Sequence, residues 1–573
     1  MTQEQMSHFH FSSFMAGAVV GAAVLTAFGV SQSKKIGKNY DEEDCDDGGL
    51  DLKLSASLSR NQIPRFVVPR SKSFAGGLLE LDLGGCSLCM LPSEVGSLQA
   101  LRKLNAAKNR IKTLPDSFKN LTNLRIAFFL GCEFETVPSV LGRLPNLFML
   151  SFKANRLRYI PEDALSPSIG WLILSDNQLN CLPVSIGMLV GLRKCMLAGN
   201  RLTDLPTEMG RCSNLELVRL SDNCLRAMPI DLLRLPKLAW IALASNHFNR
   251  NLASAARARV PVCDGDVSIH STEILGEGAS GVVYRAEMRA QSNKYPNETS
   301  YQDVAVKIFR HNKTSDGDPA DEMAAASEAG SIVGDSCRSI VRSFGQLPAS
   351  PSASFRTSIE AEENFSGRTL GLVLELLDGW EALAGPPSFV SVTRDVYKGD
   401  SSIVDSTTGE CLAPGPLLLE GGLETIVSIL HAVSVAAETL HAKGISHGDL
   451  YAHNVLLRPN EADREGSARP RAILSDFGAS FFYKFSNKSV EAVQQDKKCS
   501  SEHLLERVEV LAFGHFMSEL IARVPVEAAK WSESDRELAT ALNRMVEDCR
   551  NTIVASRPSF SDIRRRFDEL ASS

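Results

Sequence analysis

The chain has 573 residues, 44% of them hydrophobic and 23% charged, with a net charge of −7. That length exceeds one hydrophobic core, so two folded units joined by linkers are expected. The acidic balance excludes a general nucleic-acid binder, because no basic excess exists to neutralise phosphates; the thirteen scattered cysteines suggest no disulfide framework, and Cys86 and Cys89 form a C-x-x-C without the second pair a zinc site needs.

At the amino end, Phe9 to Ser33 carries no Asp, Glu, Lys or Arg. The apolar stretch 9–30 is long enough to span a bilayer. Lys34, Lys35 and Lys38 follow it and no Lys or Arg precedes it. Positive-inside logic then reads it as a single membrane anchor, with everything downstream in the cytosol. An organelle-targeting segment and a soluble apolar tail are the alternatives. The run Asp41-Glu-Glu-Asp-Cys-Asp-Asp47 is a solvated acidic linker. Residues 1–77 together make this N-terminal segment.

From residue 78 to 250 the chain repeats itself. Leu78, Leu101, Leu124, Leu147, Ile169, Leu192, Leu215 and Leu238 recur at steps of 23 residues, with a single 22. Each of the eight units reads L-x-x-L-x-L-x-x-N, usually followed by Leu-Pro. This pattern closely resembles leucine-rich repeats. The alternating L-x-L predicts a short strand with its leucines inward. Asn109, Asn155, Asn177, Asn200, Asn223 and Asn246 predict a hydrogen-bonded ladder, with Cys86 and Cys132 in the same slot. The resemblance implies a concave strand face exposing Ile126, Phe128, Met149, Trp171 and Trp240. So large an apolar surface predicts a protein partner there, unless the rest of the chain covers it. Residues 251–266 read as a linker.

Downstream, Gly276-Glu-Gly278-Ala-Ser-Gly281 is followed by Val282-Val283-Tyr284. Strand rather than helix follows the glycines, which disfavours a dinucleotide fold. Bare glycines between two strands let backbone N–H groups approach phosphates. Val304-Ala305-Val306-Lys307 then places a lysine on a buried strand, where it needs partners. Glu322 and Glu328 lie on the next helical stretch; six residues apart, they face different ways, and Glu322 is preferred. Leu372 to Leu377 reads as a buried strand entering a hinge. His447-Gly-Asp449-Leu-Tyr-Ala-His453-Asn454 and Ser475-Asp476-Phe-Gly478 complete the set. An aspartate five residues before an asparagine, then Asp-Phe-Gly, is an arrangement of one base and two metal ligands.

Over residues 267–570 these motifs resemble the protein-kinase-like superfamily, and the whole plan resembles leucine-rich-repeat protein kinases with a His-Gly-Asp catalytic loop. The resemblance implies an α/β leucine-rich-repeat solenoid followed by an α+β two-lobed kinase-like domain. It implies ATP and Mg2+ as cofactors. Asp449 would be the catalytic base, Lys307 and Glu322 the phosphate-holding pair, and Asn454 and Asp476 the metal ligands. Gly276, Gly278, Gly281, Val283, Ala305, Lys307, Leu374, Glu375 and Leu377 would surround the nucleotide. Glu509 stands where kinases carry an Asp in the helix after the activation segment, and Arg557-Pro558 matches their late Arg-Pro motif.

Three departures stand out. Gly448 replaces the usual Arg. Tyr451 replaces the Lys two residues after the base, which leaves His453 to supply the missing phosphate contact when protonated. No Ala-Pro-Glu precedes Glu509, so Glu502 or Glu506 is the expected partner of Arg557. The implied activity is transfer of the γ-phosphate of ATP to a protein Ser/Thr hydroxyl. A small-molecule kinase of the aminoglycoside or choline type, and a non-enzymatic scaffold with a kinase fold, are the alternatives.

Overall fold

A computed structural model describes residues 79–263, 267–277, 280–291, 299–310, 317–330, 339–347, 371–387, 393–395, 397, 422–458, 472–484, 501–524 and 531–572. The expected anchor 9–30, Leu78 and Gly278 lie outside the described residues.

Each repeat contributes one three-residue strand: β1 (Glu80–Asp82), β2 (Lys103–Asn105), β3 (Ile126–Phe128), β4 (Met149–Ser151), β5 (Trp171–Ile173), β6 (Lys194–Met196), β7 (Leu217–Arg219) and β8 (Trp240–Ala242). They form one parallel sheet in chain order. Strands this short cannot bury a core alone, so neighbouring units share one. Leu101, Leu124, Leu147, Ile169, Leu192, Leu215 and Leu238 are all buried in it.

The asparagine ladder sets the turns. Asn200 donates from Nδ2 to the Leu174 carbonyl at 3.0 Å and to Leu197 at 2.9 Å, and accepts from the Leu179 N–H at 3.1 Å. Lys108, Ala154, Asp176, Asp222 and Ser245, each just before a ladder Asn, adopt φ of 52–58°. Such backbone is costly for non-glycine residues and is held by the buried amide bonds. Cys132 fills the slot differently, with Sγ 3.3 Å from the Ala106 carbonyl. On the opposite side, Pro92, Pro115, Pro138, Pro183 and Pro206 each begin a short 3-10 turn. Proline suits that position because the N–H it lacks would have no partner there.

A short helix α1 (Ile230–Leu233) precedes β8, and β8 leads on to α2 (Arg250–Arg257). Of the segment 251–266, expected to be a linker, residues 251–257 belong to this helix. Arg257 bonds Asp321 at 2.7 Å and Asp318 at 3.0 Å, and Ser245 bonds Asp321 at 2.6 Å. Asp318 and Asp321 lie at the start of α3 (Pro319–Gly330) or just before it, so the end of the repeat array fixes that helix.

A five-stranded antiparallel sheet follows, in the order β12 (Ser343–Gln346), β13 (Gly371–Glu375), β11 (Thr299–Phe309), β10 (Gly281–Gln291), β9 (Val267–Glu277). The larger lobe is helical: α4 (Gly422–Ala442), α5 (Ser501–Ile521), α6 (Glu533–Cys549) and α7 (Phe560–Ser572). It carries two small sheets, β14 (Glu381–Ala382) with β16 (Val455–Leu457) and β17 (Ala472–Leu474), and β15 (Ile445–Ser446) with β18 (Phe481–Phe482). Among the described residues, α4 alone is long and apolar enough to cross a membrane. Here it is a core helix, with Ile426, Leu430, Val433 and Ala437 buried.

The concave face is not an open apolar patch, which corrects the expectation for its residues. Phe128, Met149, Trp171, Ile173, Met196, Leu217 and Trp240 are only 1–7% exposed, and they share one apolar core with α4 and the catalytic loop. Ile126 packs half-buried against the same core. The kinase-like unit covers this face in cis. Burying a large apolar side chain contributes about 1.5–3 kcal/mol. Seven such side chains therefore hold the units together by roughly 10–20 kcal/mol as an upper estimate, comparable to the stability of a whole domain. The repeat array is an integral wall of the molecule.

Candidate active site

Strand β11 is antiparallel to both its neighbours, with Lys307 opposite Val283 on β10 and Leu372 on β13. Its apolar run buries the strand and carries the Lys307 side chain under the sheet. There the ammonium group bonds Glu322 Oε1 from α3 and lies 3.5 Å from Asp476 Oδ1. Burial acts against the charge, but Asp476 and Glu322 outweigh it and hold the lysine pKa above its usual value. Glu328 is turned away, paired with Arg259 at 3.2 Å and Lys443 at 3.7 Å.

Around the nucleotide positions, Gly281 is fixed by close approach: a Cβ there would stand 2.1 Å from the Ile308 carbonyl. Ala305 lies opposite Leu374 and Val304 opposite Glu375. Val283, Leu374, Glu375 and Leu377 are half-buried, and Gly276 sits at the end of β9.

The catalytic loop is held from below by Glu509 on α5. This buried carboxylate accepts from the Gly448 N–H, from Ser446 Oγ at 2.7 Å and pairs with His441 Nε2 at 2.7 Å. Asn454 Nδ2 donates to the Asp449 carbonyl at 2.8 Å and to Asp449 Oδ2 at 3.1 Å. The loop meets the Asp-Phe-Gly strand where the Ser475 N–H bonds the Asn454 carbonyl at 2.9 Å. Asp476 takes φ 54°, a left-handed conformation rare outside glycine, with Oδ1 accepting from the Gly478 N–H at 3.2 Å.

The donor set fits a hard divalent cation. Asn454 Oδ1 and Asp476 Oδ2 have no hydrogen-bond partner among the described residues, while their companion atoms are engaged. Two oxygen ligands without a protein cage is how Mg2+ is held when phosphates and water complete its shell. No group of three His, Cys, Asp or Glu suited to a metal occurs among the described residues.

His453 lies beside Asp449. Its Nδ1 is 2.7 Å from Asp395 Oδ1 and its Nε2 is 3.9 Å from Asp449 Oδ2. Burial acts to lower its pKa, but Asp395, then Asp449 and Asp476, hold it above the ordinary value. Asp449 is pulled the other way: burial would raise its pKa, yet Arg219 and His453 hold it low.

Sequence reasoning missed the groups that reach this loop from outside the kinase-like unit. Arg219, the last residue of β7, bonds Asp449 Oδ1 and the Gly448 carbonyl. Trp240 Nε1 bonds the Leu450 carbonyl at 3.1 Å, and its ring stacks on Tyr451 at 4.3 Å. Arg394 lies over the Trp240 ring, 5.1 Å from its centroid. Buried Glu216 of the array accepts from Arg193 at 3.1 Å and from Thr393. Arg219 had one signal: it is a lone cation in the strand column of Phe128, Ile173 and Met196. Asp395 had none, since its surroundings carry no periodicity.

Arg557 is not paired with Glu506, one of its two expected partners. Its guanidinium is held by three carbonyls, of Asn551 at 2.9 Å, Arg507 at 2.9 Å and Pro236 at 2.7 Å, with no carboxylate partner among the described residues. Glu506 instead accepts from the Phe560 N–H at 2.9 Å, and the Glu502 side chain lies outside the described residues. Pro236 belongs to the repeats, so this arginine joins the two units.

A family model described as the lipopolysaccharide kinase (Kdo/WaaP) family matches residues 424–480, from α4 through the catalytic loop to the Asp-Phe-Gly segment. No curated protein matches the chain. Among solved structures, a leucine-rich-repeat protein of Leptospira interrogans is similar at 24% identity and a TM-score of 0.28, over 32% of this chain and 58% of that protein. The chain is thus similar to a kinase family over its residues 424–480.

Proposed function

We propose that the chain is an ATP- and Mg2+-dependent phosphotransferase acting on a hydroxyl group, with a protein Ser/Thr side chain as acceptor. The observation that supports it most is convergence. Lys307, Glu322 and Asp476 form one buried ionic cluster, and Asn454 ties that cluster's neighbouring strand to Asp449. Such groups are costly to bury together without a task for them. Lys307 would hold the α- and β-phosphates, with Glu322 fixing its position. Asn454 and Asp476 would hold Mg2+, whose role is to neutralise charge developing on the phosphate oxygens. Asp449 would orient the acceptor hydroxyl and take its proton.

A second reading, a small hydroxylated acceptor such as a carbohydrate, is favoured by the lipopolysaccharide-kinase match over the catalytic segment. The test is label transfer from γ-labelled ATP by the full chain to a peptide library, to sugars and aminoglycosides, and to itself. Transfer to peptides supports the first reading and transfer only to small alcohols the second. No Mg2+-dependent nucleotide binding leaves the scaffold.

A further inference from the structure

We propose that the repeat array completes the active site, with Arg219 serving as a positioning residue for Asp449. The inference rests on the phosphotransferase reading above. Its basis is that residues 448–451 of the catalytic loop all meet the last two repeat strands. Arg219 NH1 bonds the Gly448 carbonyl at 3.0 Å and NH2 bonds Asp449 Oδ1. Trp240 donates to the Leu450 carbonyl at 3.1 Å and lies parallel to the Tyr451 ring, with an interplanar angle of 4°.

The two loop positions that depart from the kinase pattern are the ones this docking requires. Gly448 has φ 75°, and a Cβ there would stand 2.5 Å from the Ala479 carbonyl and 2.8 Å from that of Ile241 on β8. No side chain fits between the loop and the strand. Tyr451 supplies the flat face on which Trp240 packs. The array and the loop are therefore matched to each other, residue by residue.

For the base, the consequence is a fixed carboxylate plane. Arg219 holds Oδ1 while Asn454 holds Oδ2 at 3.1 Å. A planar guanidinium that bonds both the loop carbonyl and the carboxylate sets direction as well as charge. The buried apolar interface around it makes this a standing part of the site rather than a cover that lifts.

The experiment compares full-length wild type, Arg219→Ala, Arg219→Gln and Arg219→Lys in steady-state phosphoryl transfer. Loss of positioning lowers kcat by about 10²-fold in the Ala and Gln variants, with KM for ATP nearly unchanged because Arg219 acts through Asp449 and the Gly448 carbonyl. Arg219→Lys recovers part of kcat, and millimolar methylguanidinium restores Arg219→Ala saturably, which a merely structural role would not produce. If Arg219→Ala fails to fold by circular dichroism, the near-isosteric Gln variant decides. Wild-type kcat in the folded Ala or Gln variant overturns the inference, and so does a kcat above wild type, which would make the array an inhibitory cover. Absence of transfer by wild type itself overturns the phosphotransferase reading, and this inference with it.

Discussion

Replacing Trp240 by Ala tests whether the two units are one folded body. The indole is 2% exposed, stacks on Tyr451, lies against Arg394 and donates to the Leu450 carbonyl. Truncating a buried Trp costs about 3–5 kcal/mol. The Leu450 carbonyl, left buried without its donor, adds about 1 kcal/mol. A loss of roughly 4–6 kcal/mol is a large fraction of the stability of a domain. Guanidinium denaturation of the full chain, followed by far-ultraviolet circular dichroism, measures it. The expected result is a large fall in the midpoint for repeats and helical lobe together. Met188→Ser, at an exposed position, serves as the comparison and changes stability by less than about 0.5 kcal/mol. A Trp240→Ala loss below about 1 kcal/mol would show that the face is not covered, and would restore it as an open docking surface.

Asp449→Asn removes the proposed proton acceptor but keeps the shape; turnover is expected to vanish while ATP binding by titration calorimetry persists. Glu322→Gln is expected to lower kcat/KM by about 10²-fold, whereas Glu328→Gln leaves it within about twofold, because only Glu322 touches Lys307. Glu519, buried beside Asp395 and near Arg394, Tyr397 and Arg523, has its pKa raised to about 7, chiefly by burial. The native state then binds more protons than the unfolded state between the ordinary carboxyl value and that figure. Stability therefore falls as pH rises from about 4.5 to about 7, by at most about 3 kcal/mol, and flattens above. Glu519→Gln abolishes that slope in denaturation midpoints taken across the range; an unchanged slope refutes the assignment.

Much of this architecture was legible in the chain. A fixed repeat of inward leucines has one economical solution, and the asparagine before each turn has one use, so the parallel sheet followed from local chemistry. Lys307, Asp449, Asn454 and Asp476 could be singled out because the proposed phosphoryl transfer demands those groups in that order, and the structure brings them close together. The choice between Glu322 and Glu328 could not be made from a helix phase alone; packing of α2 and α3 decides which face meets the strand. The concave face was misread because a sequence shows which side chains are apolar and not what covers them. Gly448 and Tyr451 looked like losses from a kinase pattern. Only Ile241 and Trp240, some two hundred residues earlier, give them a reason. Glu506 was one of two carboxylates offered to Arg557; among the described residues three carbonyls hold its guanidinium.

The central claim is that Lys307, Asn454 and Asp476 address one nucleotide with its metal. Titration calorimetry of ATP into the full chain, with and without Mg2+, tests it most directly when run on wild type, Lys307→Met and Asp476→Ala. The account predicts saturable one-to-one binding that needs Mg2+ and weakens at least about tenfold in both variants, a loss of about 1.4 kcal/mol or more. Binding of equal strength in all three chains, or binding indifferent to Mg2+, would contradict it.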